Sequence, residues 1–165
     1  LMAMVEAQQV PWLGSLDGYQ LLLLEFPHSH IPVGSDKLVN WCLQRKIRPV
    51  IAHPERNKDV IRNLEKITPF VQLGCLLQVT AEAVAGGFGP LPRKRARQLL
   101  ERGWVTFLAS DAHNTRYRIP DLEPGRAAAA AIIGEDAAWR LVRDNPRQIL
   151  RTPTLVYSAG KNVAQ

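Results

Sequence analysis

The chain has 165 residues, enough for one domain with a sizeable core, and its 46% hydrophobic and 22% charged shares are those of an ordinary globular protein. No apolar run approaches the roughly 20 residues that a membrane span needs, the Leu21-to-Leu24 stretch being far too short, and no charged-then-apolar leader opens the sequence. A net charge of +6 favours anionic partners, yet the densest basic group, Arg93, Lys94, Arg95 and Arg97, reads as a solvated helix face without interleaved aromatics, so nucleic-acid binding is not expected.

Residues 19–26 form a short apolar run behind the turn pair Asp17-Gly18, the pattern of a strand buried on both faces. Ser35 caps a helical stretch that carries Leu38, Val39, Cys42 and Leu43, and residues 49–52 give a second buried strand. Residues 58–73 have roughly helical period and stop at Gly74, with Pro69 expected to kink or split them. Residues 75–80 are a third strand, 92–102 a helix that ends at Gly103, and 105–109 a fourth strand. Residues 124–150 are mostly helical and alanine-rich, with breaks near Gly134 and Pro146. Cys42 and Cys75 lack metal or redox spacing and read as small buried apolar residues of a reducing compartment, which places the protein in the cytoplasm.

Strands alternating with helices predict an α/β fold of about four parallel strands with right-handed crossovers, whose ligands gather at the carboxyl ends of the strands. The first strand ends in Glu25, the second in His53-Pro54-Glu55-Arg56, the third in Thr80 and the fourth in Ser110-Asp111-Ala112-His113. A mixture of Glu, Asp and His suits divalent manganese, iron or zinc. In an extended segment Asp111 and His113 would point to the same side and share a cluster. Arg56 and Arg118 would then lie beside the metals, where guanidinium groups suit a phosphate.

Two spacings invite other readings. Cys42 and Arg48 match the Cys-x5-Arg spacing of thiolate phosphatases, but the residues between them contain no glycine and read as helix, not as a phosphate-cradling loop. His28-Ser29-His30 has the form of a metal clamp but falls in a loop, with His28 near enough to Glu25 to line a pocket.

Four blocks, Leu22-Leu23-Leu24-Glu25-Phe26-Pro27, Ile51-Ala52-His53-Pro54-Glu55-Arg56-Asn57, the 80–89 segment ending Gly86-Gly87-Phe88-Gly89, and Ala109-Ser110-Asp111-Ala112-His113-Asn114, occur in the order seen in the polymerase-and-histidinol-phosphatase (PHP) superfamily. More narrowly, the sequence from about residue 18 to residue 150 resembles the metal-dependent protein-tyrosine phosphatases of bacterial capsule and exopolysaccharide synthesis.

The resemblance implies a distorted seven-stranded β/α barrel that holds divalent ions, most often Mn2+ with Fe2+ or Zn2+ as alternatives. It implies Glu25, His53, Asp111 and His113 as metal ligands and Arg56 and Arg118 as the pair that grips phosphate. The substrate it implies is phosphotyrosine on protein, as on a bacterial tyrosine kinase, attacked by a metal-activated water. Members of that family begin with a strand ending in His-x-His and supply further ligands ahead of the stretch that starts here. Residues 1–165 are therefore expected to be a single, incomplete PHP domain, its C-terminal two-thirds, beginning Leu1-Met2-Ala3-Met4 and with little activity alone. Without earlier strands, residues 19–26 are expected to leave an unpaired sheet edge. Oligomeric state is left open. Another phosphoesterase of the superfamily, such as a histidinol phosphatase, and a non-catalytic remnant binding an acidic partner are the alternatives.

Overall fold

The chain, described by a computed structural model over residues 1–6, 9–116 and 118–151, opens with a short helix, α1 (Met2–Glu6), and a hairpin. In the hairpin, β1 (Gly14–Leu16) turns through Asp17-Gly18 into β2 (Tyr19–Leu24). Both turn residues have positive φ, 52° and 76°, the geometry that matches a two-residue turn to the twist of its strands. β3 (Ile47–Ala52), β4 (Leu76–Thr80) and β5 (Val105–Ala109) follow, and the sheet order is β1-β2-β3-β4-β5. β2 through β5 are mutually parallel, which are the four strands that the sequence pattern predicts.

β1 was not expected, and it corrects the prediction of a bare edge. Its three residues pair antiparallel with β2, Gly14 with Leu21, Ser15 with Gln20 and Leu16 with Tyr19, so the first half of the β2 edge is covered. Gly-Ser-Leu has no alternation and no β-branched residue by which to read it as a strand.

Helices cover one face of the sheet. α2 (Ser35–Gln44) packs on β3, and Leu24, Ile51, Leu77, Val79 and Leu108 belong to the main core beneath the helices. The single kinked helix expected over 58–73 is instead three pieces, α3 (Lys58–Arg62), a 3-10 turn (Leu64–Lys66) and α4 (Thr68–Gln72). The break comes at Asn63, whose extended backbone (φ −143°, ψ 109°) and side chain cap the 3-10 turn. Pro69 sits in the first turn of α4, where its missing N–H has no cost.

α5 (Ala81–Ala85) leaves the end of β4, and α6 (Pro90–Glu101) starts slightly earlier than the 92–102 predicted. After β5 come α7 (Glu123–Ile133) and α8 (Glu135–Trp139), divided at Gly134 as expected. A π-helical turn (Arg140–Asp144) then runs into α9 (Asn145–Arg151), so Pro146 opens a helix where a break was expected. α7 crosses α5 closely at Gly125, where a Cβ would fall 2.4 Å from the Ala81 carbonyl oxygen.

The other face of the sheet carries Leu21, Val50 and Phe107, packed with Leu16, Leu76 and Ile149. α9 touches both β1 and β5, the two edge strands, so the sheet is curled into a half-barrel with α9 reaching across its opening. Gly14 makes that contact possible, since a Cβ there would meet the Ile149 carbonyl oxygen at 2.5 Å. The curl gathers the carboxyl ends of the parallel strands along one rim. Among the described residues, no helix is long and apolar enough to cross a membrane.

Candidate metal centre

β3 ends at Ala52, and the chain reverses immediately. His53 takes a left-handed conformation (φ 32°, ψ 54°), which a non-glycine residue adopts at a cost of roughly 1 to 3 kcal/mol when the surroundings hold it there. What holds it is visible residue by residue. The His53 N–H donates to the Gln78 carbonyl at 2.8 Å, and Pro54-Glu55-Arg56 forms a 3-10 turn with proline first, where its fixed φ suits the helix start. Glu55 is wholly buried, and one carboxylate oxygen accepts the Thr80 N–H at 3.0 Å, tying the turn to the end of β4. Burial pushes the Glu55 carboxyl up to about 7, against the opposing pull of the Thr80 N–H.

Asn57 closes the motif from both sides. Its side-chain oxygen accepts from the Asp59 and Val60 N–H groups and caps α3, while its side-chain nitrogen donates to the Pro27 carbonyl at 2.7 Å. The Lys58 N–H donates to the His28 carbonyl at 2.8 Å, and an Asp59 carboxylate oxygen accepts the Ile31 N–H at 3.0 Å. The 27–31 loop is thereby fastened beside His53.

This fastening brings three ligand-type side chains together. Glu25, His28 and His53 each offer one donor atom, all within 4.8 Å of one another. Glu25 Oε1 lies 3.3 Å from His53 Nε2 and 4.0 Å from His28 Nε2, and the two rings meet edge to face at 5.3 Å. His53 is buried, which lowers its pKa, and Arg56 lowers it further, while Glu25 and Asp111 oppose the shift. A ring so shifted is neutral near pH 7 and keeps a lone pair. One carboxylate and two imidazoles are a donor set that fits a borderline divalent ion such as Mn2+, Fe2+ or Zn2+.

β5 delivers a second group. Asp111, like His53, is a left-handed residue just past a strand end (φ 53°). Its Oδ2 accepts from Arg56 Nη1 at 2.6 Å and also from Arg118 Nη2. Arg118 returns to this point because the loop folds back on itself, the His113 N–H donating to the Arg118 carbonyl and Asn114 Oδ1 accepting the Arg118 N–H. Arg56 is further seated over the Phe88 ring, its guanidinium carbon 4.6 Å from the centroid.

The extended geometry expected for Asp111 and His113 is corrected by the left-handed Asp111. His113 Nδ1 faces the Asp111 carbonyl at 2.7 Å, lies 3.9 Å from Asp111 Oδ1, and belongs to a side chain 57% exposed. Of the residues singled out in the sequence, then, Glu25 and His53 adjoin each other, Asp111, Arg56 and Arg118 meet at one oxygen, and His113 is at the solvent edge. His28 does lie in a loop, but its ring joins the Glu25–His53 group. Its signal was the Glu-x-x-His spacing after β2, read as pocket lining only. Cys42 is inside α2 with its thiol pushed up by burial, and Cys75 is pushed up to about 12, the opposite of an activated thiolate.

Residues 3–151 match the family model described as capsular polysaccharide synthesis, CpsB/CapC, and the chain belongs to that family. Tyrosine-protein phosphatase YwqE of Bacillus subtilis is 30% identical over 141 residues, covering 86% of this chain and 55% of that protein. Tyrosine-protein phosphatase CpsB of Streptococcus pneumoniae is 30% identical over 155 residues, covering 88% of this chain and 61% of its own length. A solved structure from work on YwqE of B. subtilis and CpsB of S. pneumoniae, described there as unique metal-dependent tyrosine phosphatases, superposes with a TM-score of 0.82 at 28% identity, over 93% of this chain and 61% of the other. The chain thus spans between half and two-thirds of the length of these relatives.

Proposed function

We propose that this chain carries part of the catalytic centre of a metal-dependent protein-tyrosine phosphatase of the PHP type, acting in the cytoplasm on phosphotyrosine of a protein such as a bacterial tyrosine kinase of capsule or exopolysaccharide synthesis. The observation that carries the reading is the meeting of a Glu25–His28–His53 donor group and an Arg56–Arg118 pair at the ends of three parallel strands. The tyrosine phosphatases to which the chain is similar supply the substrate class.

Glu25, His53, Asp111 and His113 are the proposed ligands, with His28 beside them, and Mn2+ is the proposed ion. Bound there, such an ion supplies a water acidified toward neutral pH and offsets charge on the phosphoryl oxygens. The protein's own part is electrostatic and geometric. Arg56 and Arg118, already aimed at a single anionic oxygen, are the proposed grip on the phosphate, and Phe88 fixes the plane of the Arg56 fork. Phosphoryl transfer asks for alignment and charge stabilisation more than for a protein nucleophile, which agrees with two buried cysteines of raised pKa.

The test is a substrate panel of phosphotyrosyl peptide, phosphoseryl peptide and histidinol phosphate, each with Mn2+ and with chelator. It is run on the complete gene product and on residues 1–165. Mn2+-dependent release of phosphate from the phosphotyrosyl peptide by the complete product is expected, with little from residues 1–165. Preference for histidinol phosphate would move the protein to a different branch of the superfamily.

A further inference from the structure

The Gly86-to-Gly89 loop carries Phe88, whose ring supports Arg56, and its end residues Gly86 and Gly89 border an open cleft of about 500 Å³ completed by Pro90, Arg93, Lys94 and Arg97. The cleft is lined by three cationic side chains and no carboxylate.

The basic residues of α6 are not equivalent. Arg95 is committed inward, donating to the Ile61 carbonyl and to Gln98, and Arg102, just past the helix, pairs with Glu65 at 2.9 Å. Arg97 pairs with Glu101 one turn on. Arg93 and Lys94 have no anionic partner among the described residues, and both are exposed. Arg93 lies along the loop at Gly86, where a Cβ would come 3.2 Å from Arg93 Cδ and where the φ of 106° favours glycine.

We propose that this cleft is a docking surface for an acidic stretch of the protein substrate, flanking the phosphotyrosine that Arg56 and Arg118 receive. The proposal rests on the phosphatase reading and adds a preference to it: phosphotyrosines in Asp/Glu-rich surroundings bind best. Charge complementarity and continuity through Phe88 argue for it. The cleft is an open surface trough and has no aromatic stacking platform, which favours an extended acidic peptide over a nucleic acid.

Binding is measured by fluorescence anisotropy at low salt with residues 1–165, using three labelled peptides of equal length: phosphotyrosine with an acidic flank, phosphotyrosine with a neutral flank, and unphosphorylated tyrosine with the acidic flank. The variant is Arg93→Ser with Lys94→Ser; both side chains are exposed, and an unchanged melting temperature shows that the fold is intact. The acidic flank is expected to tighten binding about 5- to 10-fold, two rim charges each contributing a modest factor, and added salt should erode the gain. In the double variant the gain should vanish while binding of the neutral-flank phosphopeptide is unchanged. An acidic-flank advantage that survives in the variant, or is absent from the unsubstituted chain, overturns the proposal. So does a single-stranded oligonucleotide that binds more tightly than any peptide and is lost in the variant. If both acidic peptides bind alike, both weaken in the variant, and Asp111→Ala, which frees Arg56 and Arg118, still gives the phosphorylated peptide no advantage, the docking surface stands while the phosphatase reading fails.

Discussion

Arg56 Nη1 lies 2.6 Å from Asp111 Oδ2, and Arg118 donates to that same oxygen, so two guanidinium groups from different strand ends share one carboxylate oxygen. A side chain that is also a candidate metal ligand thus occupies the position at which the arginines would meet a phosphate. In the metal-free chain, Asp111→Ala should release both guanidinium groups and raise the affinity for inorganic phosphate about tenfold, the worth of one charge-assisted hydrogen bond. Isothermal titration with phosphate measures it. Unchanged affinity would mean that the pair does not present to an external anion.

Asn57 joins two structural tasks, capping α3 and clasping the Pro27 carbonyl. Asn57→Ala removes a cap worth about 1 kcal/mol and leaves a part-buried carbonyl without its donor, at a similar cost, so urea denaturation should show a loss of about 2 kcal/mol. A loss under 0.5 kcal/mol would show that water replaces both bonds.

Glu55 makes stability depend on pH in an unusual direction. Its carboxyl titrates near 7 when folded and near 4.5 when exposed, so between these values the folded chain holds a proton that the unfolded chain has released. The contribution is fully present below about pH 4.5, declines as pH rises through the window, and is gone above about 7. Its size is on the order of 3 kcal/mol. Glu55→Gln keeps an oxygen for the Thr80 N–H and removes the charge. The melting temperatures of the two chains, taken with chelator present, should coincide at low pH and diverge toward pH 8, with the Gln variant higher. Parallel curves would contradict this account of Glu55.

The four parallel strands were legible as short apolar runs, but burial on both faces holds best for β3 and β4; in β2, expected to be buried on both faces, Leu23 is 46% exposed. The candidate residues were legible as a set because strands of one direction place their ends on one rim, where Glu25 lies beside His53 and Arg56 beside Asp111. What was not legible depends on backbone conformation. The left-handed turns at His53 and Asp111 accompany hydrogen bonds to partners distant in sequence, His53 to Gln78, Glu55 to Thr80, Asn57 to Pro27 and Asp111 to Arg56, and no local preference announces them. His28 was read only as pocket lining beside Glu25, because what brings its loop to His53 is the hydrogen bonding of Asn57, Lys58 and Asp59. β1 went unseen because its pairing is decided by the Asp17-Gly18 turn and by α9, not by its own side chains.

Calorimetric titration of Mn2+ into the unsubstituted chain, His53→Ala and Arg118→Ala bears most directly on whether Glu25, His53 and Asp111 form a metal site distinct from a phosphate grip. The expected result is binding to the unsubstituted chain, its loss in His53→Ala and its retention in Arg118→Ala. Equal binding by the unsubstituted chain and His53→Ala, or loss of the ion on Arg118→Ala, would contradict it.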